Sequence, residues 1–299
     1  MRGGIVNADL PPTERVSSRS AGLDLLGTAA LVELLVDEQR DAVDAVLRQR
    51  ETIARAVDEI AARLRGGATL HYAGAGSSGR IAALDAAEMP PTFGTPPGFV
   101  RAHVAGGAAA LAGAIEGAED DAPAGAEAAA ASVGPGDAAI GVSASGGAPF
   151  VVAFVKQART LGAYTVAVTS VADSPLTCEA ESAIVFETGP EALAGSTRLK
   201  AGTAQKVCLN AISTAVMVRL GKVYDNLMVD VVASNAKLRR RAIRLVRDVA
   251  GVTEMRAREL IDAADGRVKV AILMERRGVD AASARALLEE SAGSLRRLL

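Results

Sequence analysis

Five short apolar runs, at 68–73, 99–104, 138–143, 164–169 and 183–186, alternate with stretches of helical periodicity, and this alternation constrains the fold more than any other feature of the chain. Runs of that length, separated by helix-sized segments, predict parallel strands joined by crossover helices. The segment 149–161 shows such a helix best: Pro149 suits a first turn, Phe150, Val151, Phe154, Val155, Ala158 and Leu161 form one stripe, and Gly162 stops it. A long helix is expected over 203–220, ended by Gly221. Ahead of the first run, Ala42, Val46, Ile53, Val57 and Ile60 recur at helical spacing, so 21–65 reads as two helices closed by Gly66 and Gly67. Beyond Val231 strand signals cease, and basic, alanine- and leucine-rich helical segments run to Leu299 with breaks near Gly251, Gly266 and Gly278. The expected organisation is an N-terminal helical segment over 1–65, an α/β domain with a parallel-sheet α/β/α sandwich over 66–244, and a small three-helix unit over 245–299.

Composition excludes several classes of function. A chain of 299 residues that is 49% hydrophobic can bury a core without disulfides. A net charge of −2, from 33 basic and 35 acidic residues, creates no general field for nucleic acid or an anionic membrane, so anion recognition has to be local. Aromatic residues make up only 3% and tryptophan is absent, which leaves no stacking platform for single-stranded nucleic acid. Cys178, Cys208, His71 and His103 lack the spacing of a metal site or a redox motif, so a reducing compartment and a metal-free site are expected. The stretch 25–36 is interrupted by Glu33 and falls short of the roughly 20 apolar residues of a membrane span, so it reads as an amphipathic core helix. Arg2 is followed by glycine, Asn7 and Asp9 rather than by an apolar core of a secretory signal, and the expected location is the cytoplasm.

The chemistry is concentrated in two turns. Gly74-Ala75-Gly76-Ser77-Ser78-Gly79 matches G-x-G-x-x-G between an expected strand and an expected helix. A dinucleotide site would also need an acidic residue about 20 positions on, and Gly98-Phe99-Val100-Arg101 offers none. What the turn supplies is free N–H groups at a helix start and two hydroxyls, which suit a phosphate monoester. Ser143-Ala144-Ser145-Gly146-Gly147 repeats that chemistry after another strand, and two such turns at the carboxyl ends of parallel strands can converge on one crevice. The candidate phosphate ligands are therefore Gly76, Ser77, Ser78, Ser143, Ser145 and Gly146.

At these residues the chain resembles the SIS (sugar isomerase) fold. The longer string from Gly74 through Arg80 to Asp85-Ala86-Ala87-Glu88-Met89-Pro90-Pro91-Thr92-Phe93-Gly94 is similar to the N-acetylmuramic acid 6-phosphate etherase family. Thr13-Glu14-Arg15, Glu116-Gly117-Ala118-Glu119-Asp120, the segment from Ser196 to Lys206 and the segment from Gly221 to Asp230 resemble family segments in family order. The resemblance implies cleavage of the ether between sugar C3 and lactate, without metal or organic cofactor, by a homodimer whose site lies near the subunit interface. It implies Glu119 as the base at C2 and Glu88 as the acid that protonates departing lactate, with Lys200 a candidate for the phosphate or the lactate carboxylate. A charge run such as Glu119-Asp120-Asp121 is equally readable as a solvated loop.

Some positions depart from the family pattern. Gly147 and Ala148 stand where it has Arg and Thr, Ser77 where threonine is usual, Met89 for a common cysteine and Asp225 for a common glycine. Two other functions share the fold and stay open at this point, an aldose–ketose sugar-phosphate isomerase and a non-catalytic sugar-phosphate-binding regulator.

Overall fold

The computed structural model describes residues 10–231 and 236–299. The first residues, on which the absence of a secretory signal was read, lie outside the described part. The chain divides into two compact units, one formed by 1–86 and 98–212 and the other by 87–97 and 213–299. That division differs from the boundaries at 65 and 244 expected from composition, because a stretch ahead of the second strand joins the C-terminal helices.

The first unit opens with three helices, α1 (Thr28–Asp37), α2 (Gln39–Arg48) and α3 (Arg50–Arg65), where the periodicity predicted two. Ala42, Val46, Ile53, Val57 and Ile60 are buried as their spacing requires. Helix α1 is not the core helix expected: it buries none of its residues, and Val32 and Val36 are 53% and 65% exposed. An apolar stripe reports that a face wants cover, and among the described residues nothing buries this one.

Next come β1 (Leu70–Gly74), α4 (Gly76–Phe93), β2 (Val100–Val104), α5 (Ala109–Ala112), α6 (Ala122–Ala130) and β3 (Ala138–Val142). They are followed by α7 (Pro149–Thr160), β4 (Tyr164–Thr169), α8 (Pro175–Glu179), β5 (Ser182–Val185) and α9 (Lys200–Arg219). All five strands are parallel, in the order β2-β1-β3-β4-β5. β1, β3 and β4 are buried along their whole length, which is why they read as unbroken apolar runs rather than as alternating ones. On one face α7 lays Phe150, Val151, Phe154, Val155 and Ala158 against Ala73, Ala139 and Ala167, small residues that let the helix approach the sheet. Gly141 is required there, since a Cβ would stand 2.5 Å from Val155. On the other face Tyr72 donates to Asp85 at 2.9 Å, and Asn210 donates to the second Asp85 oxygen at 2.5 Å, tying β1 to α4 and α9. Burial, then the Asp85 carboxylate, raises the Tyr72 pKa well above its usual value and keeps the phenol a donor.

At the amino end of the sheet the only two histidines form a relay. Asp137 accepts from Thr69 N and Gly134 N, and its Oδ2 lies 3.2 Å from His71 Nε2. A carboxylate only accepts, so His71 carries its proton on Nε2, and its bare Nδ1 takes the proton of His103 Nε2 at 3.1 Å. Burial lowers the pKa of both, that of His103 from 6.5 to about 4, with His71 adding to the effect on His103. The folded state therefore binds fewer protons than the unfolded one below pH 6.5. Stability is full above that value and is lost as pH falls toward about 4, by roughly 2–3 kcal/mol after allowance for partial exposure of His103. Urea melts between pH 7.5 and 4 check this: His103→Gln, which keeps a donor for His71, flattens the slope.

The second unit holds the C-terminal part of α4, the C-terminal part of α9, a hairpin of β6 (Val223–Tyr224) and β7 (Leu227–Met228), and four helices, of which the last three lie within the 245–299 expected to hold three. These are α10 (Ala236–Ala250), α11 (Glu254–Ala263), α12 (Val268–Arg277) and α13 (Ala281–Glu290), packed around Val246, Leu260, Ile261, Ile272 and Leu295. Gly251, Gly266 and Gly278 all take positive φ at the helix ends, as their positions suggested. The hairpin accounts for one departure: Asp225 opens its two-residue turn at φ +53°, a conformation glycine adopts without strain and aspartate tolerates better than most residues. Lys269 is buried and fastens this unit from within, donating to Gly221 O, Gly293 O and Asp230 at 2.7–2.9 Å.

Candidate active site

In a parallel sheet of this strand order, the chain leaves β1 and β3 in opposite directions, and a crevice opens between their carboxyl ends. A polar cleft of about 490 Å³ lies there. Its lining includes Gly76, Ser77 and Ser78 from the turn after β1, Ser143 and Ser145 from the turn after β3, and Glu119. The two hydroxyl-bearing turns thus meet in one cavity, together with the carboxylate named as the base.

Each turn has a physical reason for its glycines. Gly74 and Gly79 cross so closely that a Cβ on either would stand 2.7 Å from the other's backbone, so both ends of the motif must be glycine. Gly76 has φ +53° and opens α4, whose first N–H groups have no helical acceptor, and Gly76, Ser77 and Ser78 of this helix start line the cleft. In the second turn Gly146 N donates to Ser143 O and to Ser143 Oγ, both at 3.1 Å, and Gly147 N donates to Ser145 Oγ at 3.2 Å. Gly146 does not line the cleft: its N–H is spent within the turn, and a Cβ there would lie 2.2 Å from Ser174 Oγ. Its part is to let the turn close, and Ser143 and Ser145 are the groups that face inward.

The acidic run divides its labour. Asp121 caps α6 by accepting from Ala124 N at 2.9 Å, while Glu119 and Asp120 line the cleft from a short turn behind Gly117, which has φ +71°. Arg80, one residue past the first turn, donates to Ala110 O at 2.9 Å and Gly113 O at 2.6 Å and so holds the loop that leads to Glu119. Glu88 is exposed on α4 and belongs to the second unit. Its helix runs through Pro90 and Pro91 to Phe93 rather than ending before them, although neither proline has an N–H to give to the carbonyl four residues back.

Lys200 does not line the cleft. It is 3% exposed, and its ammonium lies 2.7 Å from Glu38, itself 1% exposed, and 3.4 Å from Asp41. Arg19 brings a guanidinium nitrogen within 2.8 Å of the other Glu38 oxygen. A lysine two residues from a glycine in a motif-like string reads as a ligand group; only tertiary contacts reveal a carboxylate 162 positions earlier. The backbone of the same residue serves the helix start, where Glu191 accepts from Lys200 N at 2.8 Å and Ala201 N at 2.9 Å.

Glu14 and Thr197, which carried no role in the sequence reading, also line the cleft. A larger cavity of about 810 Å³ lies beside β2, lined mostly by alanines and glycines with Leu111, Ile115 and Phe150 and also by His103, Glu116 and Asp121, but it lacks paired hydroxyl turns. Among the described residues no group of three His, Cys, Asp or Glu side chains could hold a metal ion. No described helix is long and apolar enough to cross a membrane.

Comparison with known proteins fits this arrangement. Residues 52–159 match the model of the glucokinase regulatory protein N-terminal SIS domain, and residues 120–215 match the SIS domain. A protein of Symbiobacterium thermophilum named N-acetylmuramic acid 6-phosphate etherase is 48% identical over 89% of this chain and 89% of its own length. Proteins of the same name from Gloeobacter violaceus and Rubrobacter xylanophilus are 48% and 49% identical, over 95% and 96% of this chain and 93% and 95% of their own lengths. The chain belongs to the N-acetylmuramic acid 6-phosphate etherase family. Etherases are carbon–oxygen lyases, and the five-stranded parallel sheet is that of the SIS fold.

Proposed function

We propose that the protein cleaves the lactyl ether of N-acetylmuramic acid 6-phosphate, giving N-acetylglucosamine 6-phosphate and D-lactate in the recycling of cell-wall amino sugar. The observation that carries this reading is near-full-length identity of 46–49% to proteins of that name, in a chain that keeps both carboxyls. In the open-chain sugar the C2 proton is acidified by the C1 aldehyde. Glu119 removes it, the electrons form the C2–C3 double bond, and the C3–O bond breaks. Glu88 gives its proton to the departing lactate oxygen, which would otherwise leave as a poor alkoxide. Glu88, now a carboxylate, takes a proton from water as its oxygen adds to C3, and Glu119 returns the proton to C2. The serine turns hold the phosphate throughout with neutral hydroxyls and helix-terminal N–H groups. Incubation of the purified protein with the substrate and assay of D-lactate tests the reading, and turnover of an aldose to a ketose phosphate without lactate would overturn it.

The active form is a homodimer in this proposal. Leu25, Val32, Val36, Val43 and Leu47, each about half exposed or more, present an apolar surface that a second copy would cover. The location is the cytoplasm, where a phosphorylated sugar is retained and where the unpaired Cys178 and Cys208 stay reduced.

Replacement of the family's Arg by Gly147 has a measurable consequence. Gly147 lines the cleft without a positive φ, and a Cβ there would meet only Ser145 Oγ at 3.6 Å. Gly147→Arg is therefore expected to fold normally and to lower the KM for the phosphorylated substrate by roughly 3–10-fold, the worth of a partly exposed charge-assisted contact. Steady-state kinetics and competition by inorganic phosphate check it.

A further inference from the structure

The cleft contains a carboxylate for which neither the phosphate turns nor the elimination chemistry has a use. Glu14 lines the same cavity as Ser78, Ser143 and Glu119, although it lies 105 positions before the nearest of the other acidic groups there. Its position is built. Pro12 starts a one-turn helix over Pro12–Glu14, Glu14 N donates to Pro11 O at 2.9 Å, and Arg15 Nε donates to Leu10 O at 2.8 Å. Thr13 is buried, and its carbonyl accepts from Gly195 N at 3.1 Å, fastening the segment to the loop ahead of α9 that also lines the cleft. Gly195 has φ +76°, and a Cβ on it would stand 3.0 Å from Glu14 Oε2, so the facing wall is hollowed where the carboxylate lies. Among the described residues nothing donates a hydrogen bond to that carboxylate.

An ionised carboxylate offers acceptors only. Beside turns that can hold a phosphate it is complementary to the neutral hydroxyl-bearing carbons of a sugar chain. We infer that Glu14 is a specificity residue that accepts hydrogen bonds from the hydroxyls of the sugar chain, so that the cleft reads the polyol as well as the phosphate. The inference rests on the sugar-phosphate reading above and deepens it. A cleft with serine turns alone would hold any small phosphate monoester; Glu14 makes a bare phosphate or an alkyl phosphate a poor ligand relative to a sugar phosphate.

The test is a binding comparison that does not depend on turnover. Calorimetry with N-acetylglucosamine 6-phosphate, its 3-deoxy and 4-deoxy analogues and inorganic phosphate is run on the intact protein, on Glu14→Gln and on Glu14→Ala. The expected result is a Kd for the sugar phosphate raised about 10–100-fold in Glu14→Ala and less in Glu14→Gln, with the affinity for inorganic phosphate unchanged. At least one deoxy analogue should bind the intact protein about tenfold more weakly than the parent and bind Glu14→Ala as well as the parent does. Three results overturn the inference: sugar-phosphate affinity within twofold in both variants; equal loss of inorganic phosphate, which makes Glu14 a brace for the turns; or unchanged affinity with kcat lowered a hundredfold or more, which makes it a proton-transfer group. If the intact protein binds the sugar phosphate and releases no lactate, the etherase reading falls while this comparison still decides the role of Glu14.

Discussion

In Glu119→Gln, hydrogen exchange at the substrate's C2 in heavy water and release of D-lactate are both expected to fall by about 10³-fold, because a general base is worth roughly 10²–10⁴ and nothing else opens the pathway. Glu88→Gln should separate the two steps. With the base retained, C2 exchange persists, while lactate release drops steeply for want of a proton on the leaving oxygen. NMR of the C2 position and an enzymatic lactate assay on the same samples give both readings. In the intact enzyme, reaction in ¹⁸O-water should place the label on sugar C3, since elimination breaks the C3–O bond and lactate keeps its ether oxygen. Label in lactate would mean cleavage on the lactate side and would overturn the mechanism. A Glu119→Gln variant that still exchanges C2 would remove Glu119 from the role of base, whatever its place in the cleft.

The second large effect is on stability. Lys200→Met leaves Glu38 as a charge that is 1% exposed with its closest cation removed, and breaking one side of a buried pair costs about 3–5 kcal/mol. Chemical denaturation should show that loss, a large fraction of the 5–15 kcal/mol typical of a whole domain. The double variant Glu38→Gln/Lys200→Met should recover much of it, because the uncompensated carboxylate is gone. A ligand role for Lys200 predicts the opposite pattern: intact stability, a raised KM, and no rescue by the change at Glu38. The two outcomes separate cleanly because denaturation is measured without substrate. The same measurement bears on how the N-terminal helices are held, since this pair joins the end of α1 to the start of α9.

The residues reveal what depends on neighbours along the chain. A run of apolar residues buried on both faces is continuous whatever surrounds it, so 68–73, 138–143 and 164–169 were legible as strands to within two residues. The stripe of α7 and the terminating Gly162 and Gly221 were legible for the same local reason. So were the glycine turns, because close backbone crossing and positive φ leave glycine as the residue of choice and serine hydroxyls beside a helix start imply an anion. The order of strands decided the rest. Only the reversal between β1 and β3 brings Ser78 and Ser143 into one cleft, adds Glu119 from the loop after β2, and reaches back to Glu14. Local pattern misjudged α1, whose apolar stripe stays exposed among the described residues, and it could not show that Lys200 has Glu38 beside it. Periodicity reports which face of an element avoids water, and residue type reports which groups can bind. Which partner fills that face or neutralises that group is a property of positions far apart in the chain, fixed only when the tertiary fold brings them together.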